Sequence, residues 1–138
     1  METKYNFKSQ ICTSRVQSER LLALGLKKET ADMKYVGLCR NEDGSILFQK
    51  TPICKGVITE NNIDLPAWSL HRLIEMMPEN VTSDDWLGVS FNDVSYYHGE
   101  GEGILGWKFY KSGNLYDCIV GAYEWLIKEG KLNKEYLV

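Results

Sequence analysis

The chain is poor in the residues on which most small catalytic and metal sites depend, with 2 histidines and 4 cysteines in 138 residues. Cys12, Cys39, Cys54 and Cys118 are scattered and form no C-x-x-C pair. That excludes a zinc ribbon and a thioredoxin-type redox pair, and free thiols are expected. No G-x-S-x-G elbow is present and neither histidine can be matched to a nucleophile, so no serine or cysteine hydrolase is written here. Long apolar runs are missing too: none approaches the roughly 20 residues needed to cross a bilayer. Met1 to Lys8 mixes charges with isolated aromatics and lacks the apolar stretch of an export signal. A cytoplasmic protein with no membrane partner is expected. Basic charge is not in excess either. With 16 basic against 19 acidic residues the net charge is −3, which supplies no electrostatic footprint for nucleic acid. Internal repeats, low-complexity tracts and long linkers are also lacking.

What the chain does have is a core: 43% apolar residues and 12% aromatics suffice for a single domain over residues 1–138 without disulfides or metals. Thr13 or Ser14 can cap a first helix over about Arg15 to Leu24, with Val16, Leu21, Leu22 and Leu24 on its apolar side and Gly25 ending it. Lys27 to Met33 reads as a turn capped by Thr30, its charges solvated. Tyr35–Cys39 and Ser45–Lys50 form a candidate hairpin across Asn41-Glu42-Asp43-Gly44. Val57-Ile58 is a candidate edge strand. Asp64 and Pro66 are suited to cap and open a second helix that Pro78 closes, with Trp68, Leu70, Leu73, Ile74, Met76 and Met77 making it apolar around most of its circumference.

Strands are expected at Trp86–Phe91, Val94–Tyr97 and 104–110, the last two flanking His98-Gly99-Glu100-Gly101-Glu102-Gly103 as a β-hairpin. Leu115, Cys118, Ile119, Ala122, Tyr123, Leu126 and Ile127 then recur at helical spacing up to Gly130. Cys118 fits this stripe as a small buried hydrophobe. The whole reads as one α+β domain: about three helices on one face of a small, mostly antiparallel sheet.

The sharpest chemical candidate is His98-x-Glu100-x-Glu102. In an extended chain alternate residues share a face, so one imidazole and two carboxylates could hold zinc or manganese and support a small metal-dependent enzyme. A solvated, glycine-rich hairpin tip is the simpler reading, because ordering so flexible a loop costs much entropy. His71 and Glu75 share a face of the second helix and read as a surface hydrogen bond, since no second histidine completes an H-E-x-x-H pattern. The glycines of the tip lack the spacing and lysine of a phosphate loop. Tyr96, Tyr97, Trp107 and Tyr110 could stack nucleic-acid bases, but such platforms sit in basic grooves. Tyrosine and tryptophan are equally favoured in protein interfaces. A nucleic-acid-binding regulator is therefore the weakest of three readings. The first is a non-enzymatic interaction module, with a protein partner or self-association and no cofactor, using Tyr96, Tyr97, Trp107 and Tyr110.

Pro66-Ala67-Trp68-Ser69-Leu70-His71-Arg72-Leu73-Ile74-Glu75-Met76-Met77-Pro78, with Ser18–Gly25, Thr30–Met33 and Ala122–Ile127, resembles a group of small bacterial proteins associated with prophages and other mobile elements. No activity or site residue is established for that group. The resemblance implies an accessory protein of the bacterial cytoplasm, of phage origin, and carries over no functional residue.

Overall fold

Ser14 starts the first helix, α1 (Arg15–Ala23), through a capping box: its hydroxyl accepts from the Gln17 N–H at 3.2 Å while Gln17 Oε1 accepts from the Ser14 N–H at 2.9 Å. The helix ends in a Schellman motif, with the Gly25 N–H on Leu22 O, the Leu26 N–H on Leu21 O, and Gly25 at φ 104°. In this computed structural model, residues 9–56, 61–83, 85–98, 105–111 and 113–138 are described, with backbone alone for 98 and 105–111. The expected edge strand at Val57-Ile58 lies outside them.

Strands β1 (Met33–Tyr35), β2 (Gly37–Arg40), β3 (Ile46–Phe48), β4 (Ile53–Cys54) and β5 (Leu65–Ala67) come next, followed by α2 (Leu70–Met76). Then follow β6 (Asp85–Ser90), β7 (Asp93–His98), β8 (Leu105–Lys111) and α3 (Leu115–Lys128). The class is α+β, as expected, but the single sheet is a correction. Among the described residues the strands form three small antiparallel sheets, ordered β4-β1-β5, β2-β3 and β6-β7-β8.

The second helix also needs correcting. Pro66 does not open it but lies in β5, paired with Lys34 of β1. β5 is an edge of its sheet, where a missing N–H is tolerated. The helix begins only after Ser69, whose hydroxyl accepts from the Arg72 N–H and donates to Asp32. Asp64 caps no helix: it takes Lys34 Nζ at 3.0 Å, the Gly37 N–H at 2.9 Å and the Asn61 N–H at 3.1 Å. Tertiary partners outbid local capping here because the Lys34 ammonium is buried and must be neutralised.

Val16 is the third correction, being 76% exposed rather than on the inner face of α1. That face carries polar Gln17 and Ser18 beside Leu21. Both polar groups are satisfied: Ser18 shares a hydrogen bond with Thr13, and Gln17 Nε2 donates to Asp117 Oδ1 on α3 at 2.6 Å. The main core gathers Leu21, Trp68, Leu73, Met76, Val94, Tyr96 and the inner face of α3. Trp68 is fully buried, its indole N–H donating to Thr30 Oγ1 at 2.9 Å. Tyr123 of α3 donates to Leu73 O of α2, so the two helices are joined by a bond as well as by packing. A satellite cluster of Cys12, Met33 and Ala67 lies under Tyr35.

Candidate functional site

β6 and β7 pair in register across the Phe91-Asn92 turn, with Trp86 opposite Tyr97, Leu87 opposite Tyr96 and Gly88 opposite Ser95. Directly opposed residues in an antiparallel pair share a face. Leu87, Tyr96, Val89 and Val94 therefore share the core side, and Tyr96 is fully buried with its hydroxyl donating to Pro78 O at 2.7 Å. Burial also pushes the Tyr96 phenol above its ordinary pKa. Tyr96 is thus a core residue and not part of an exposed surface, a correction that follows from the period-2 alternation of the strand. Trp107 and Tyr110 occupy the register positions of β8 opposite Tyr96 and Val94.

Trp86 and Tyr97 lie on the other face. Their rings stack with centroids 5.9 Å apart and planes 25° apart, and Trp86 remains 48% exposed. Gly88 makes the stack possible. A Cβ at that position would lie 2.2 Å from Tyr97 Cε2, so the tyrosine ring lies across the glycine and is pinned against Trp86. The stack restricts the rotamers of the half-exposed tryptophan and so lowers the side-chain entropy left to lose on binding.

Beside this ledge, Ile74 and Met77 from the end of α2 and Trp86 and Leu87 from β6 line a groove of about 430 Å³. Among the described residues the two charged ones on its rim are Glu75 and Glu79. Glu75 is paired with Arg72 and lies 3.7 Å from His71 Nε2. Glu79 makes no ion pair among the described residues, and its carbonyl accepts the Leu87 N–H at 2.9 Å. That bond ties the 79 segment to the β6 edge beside the groove.

The other candidates resolve differently. His98 ends β7 opposite Asp85 of β6 and Leu105 of β8, and Glu100 and Glu102 lie outside the described residues. Among the described residues no three of His, Cys, Asp and Glu gather as a metal set. His71 is 89% exposed, so its contact with Glu75 is the surface interaction expected from the i,i+4 spacing. Cys12 and Cys118 are buried, and burial raises the Cys12 thiol away from the reactive thiolate. Cys39 and Cys54 are exposed. A second cleft, of about 120 Å³, is lined by Lys28, Lys34, Lys55 and Asp64 among others, but Lys34 and Asp64 are 2% and 6% exposed and bonded to each other. They close the junction of β1 with the 61–64 turn instead of presenting charge to a ligand.

Sequence reasoning found Tyr97 but placed Trp86 simply in a strand. The signal that could have found it is the alternation Trp86-Leu87-Gly88-Val89-Ser90, which sets tryptophan and glycine on the face opposite Leu87 and Val89. Among the described residues no helix is long and apolar enough to cross a membrane. No family model, curated protein or solved structure matches the chain.

Proposed function

We propose that the chain is a non-enzymatic accessory module that acts by binding another protein through the Trp86–Tyr97 ledge and the adjoining groove. The observation that carries the reading is a half-exposed tryptophan held in one orientation by a stacked tyrosine, over a glycine that leaves room for the ring. Rigid, well-packed tryptophan and tyrosine side chains with an apolar groove at hand are the usual energetic centres of protein interfaces. Origin in a prophage or another mobile element, and action in a bacterial cytoplasm, belong to the same proposal and rest on the resemblance of the 66–78 motif.

The test is capture from native-host lysate after nuclease treatment, followed by reconstitution of the complex from purified components. A stoichiometric protein that binds the wild type and is lost with Trp86→Ser, in a variant whose circular dichroism and urea midpoint show a folded chain, is the expected result. Binding unchanged by that substitution, or no retained protein, would count against the reading.

A further inference from the structure

We infer that the segment seated in the α2–β6 groove is a short peptide that presents an apolar side chain flanked by lysine or arginine. This rests on the proposed binding role and specifies the chemistry of the partner. The floor, made by Ile74, Met77, Leu87 and the side of Trp86, is apolar, and among the described residues both charged ones that line the groove are carboxylates. An apolar side chain leaving water for this floor supplies the affinity, since the gain scales with apolar area removed from water. Charge selects the flanks. Arg72 and Glu75 are engaged with each other, Arg72 also donating to Thr30 O, and among the described residues no lysine or arginine lines the groove.

An acidic neighbour on the ligand would therefore meet like charge from Glu79, the carboxylate of the groove that makes no ion pair among the described residues, whereas a basic one meets opposite charge at a partly solvated rim. The exposed part of the Trp86 ring adds a face on which a guanidinium or ammonium can rest. Recognition here must come through side chains and not through addition of a strand. The Leu87 N–H, which faces the open edge of β6, is already taken by Glu79 O, so that edge is closed beside the groove.

The experiment is a selection from a displayed library of random dodecapeptides against the full-length chain. Enriched peptides are then synthesised and titrated by fluorescence polarisation against wild type, Trp86→Ser and Glu79→Gln. The expected result is an enriched apolar residue with lysine or arginine beside it. Binding should weaken about twofold to fivefold in Glu79→Gln at low salt, and this difference should shrink at high salt. Enriched peptides that need Trp86 but carry neutral or acidic flanks, with affinity unchanged by Glu79→Gln, would overturn the inference while leaving the ledge as a binding surface. Peptides indifferent to Trp86, or no enrichment at all, would overturn the inference and weigh against the ledge as well. A concentration-dependent mass in sedimentation that Trp86→Ser abolishes would assign the groove to a second copy of the chain and overturn the inference.

Discussion

Gly88→Ala should destabilise the protein in the wild-type background and stabilise it once Tyr97 is removed. A Cβ at Gly88 would lie 2.2 Å from Tyr97 Cε2 and 2.8 Å from Cδ2. Carbon contacts are comfortable at about 3.5 Å or more, so the ring must retreat by about 1.3 Å or rotate away. Either movement disturbs its stack with Trp86, a pair worth about 0.5–1.5 kcal/mol beyond its buried area. Overpacking of this kind costs about 1–3 kcal/mol in total. Against that, alanine recovers the roughly 0.5–1 kcal/mol that a mid-strand glycine forfeits in chain entropy. The net expectation is a loss of up to about 2.5 kcal/mol for Gly88→Ala alone. In a Tyr97→Ser background the clash is gone, and the same substitution should gain about 0.5–1 kcal/mol. Urea denaturation of the four proteins measures the cycle, and near-ultraviolet difference circular dichroism against a Trp86→Phe variant separates the Trp86 signal from that of the other three tryptophans. Equal effects in both backgrounds, or a stabilised Gly88→Ala single variant, would show that the tyrosine does not lie across the glycine.

Trp68→Ala removes a fully buried indole and its hydrogen bond to Thr30, and should cost about 3–5 kcal/mol in urea melts; a loss under about 1 kcal/mol would contradict its place in the core. Lys34→Met should cost about 3–5 kcal/mol, because the buried Asp64 carboxylate would lose its cation and keep only two N–H donors among the described residues. Burial alone would raise the Asp64 pKa, but the Gly37 N–H, Lys34 and the Asn61 N–H overcome it and hold it below the ordinary value. Its contribution is therefore fully present above the usual carboxylate pKa of about 3.9 and lost as pH falls through the lower folded-state value. The gap in urea midpoint between wild type and Asp64→Asn should accordingly narrow in acid. Ellman titration should find Cys39 and Cys54 reacting at once and Cys12 and Cys118 only on unfolding; an early reaction at Cys118 would refute its burial against α3's neighbours.

Much of the fold was legible because it is encoded over a few residues. α1 with Gly25 as its terminator, and α3 from Leu115 to Gly130, follow from 3.6-residue periodicity and from glycines at positive φ. The β2–β3 hairpin across Asn41 to Gly44 likewise followed from local turn chemistry. The α2 region was misread because its cues are ambiguous in isolation. Asp64-Leu65-Pro66 is a plausible helix start, but it became a turn and a strand because Lys34 and Gly37, about 30 residues away, needed the carboxylate.

The sequence by itself determined the α+β class, the three helices and the aromatic content of the 86–110 region, since periodicity, capping and turn chemistry act within a few residues of the chain. Only the tertiary structure decided which aromatics are core and which are surface. Tyr96 and Tyr97 are adjacent and chemically identical, yet one donates to Pro78 O in the interior and the other stacks on half-exposed Trp86. Strand alternation requires the two to point apart, but which face meets α3 depends on how the whole sheet packs. The groove itself is a product of that packing, because Ile74, Met77, Glu79 and Trp86 become neighbours only when the end of α2 is laid against the edge of β6.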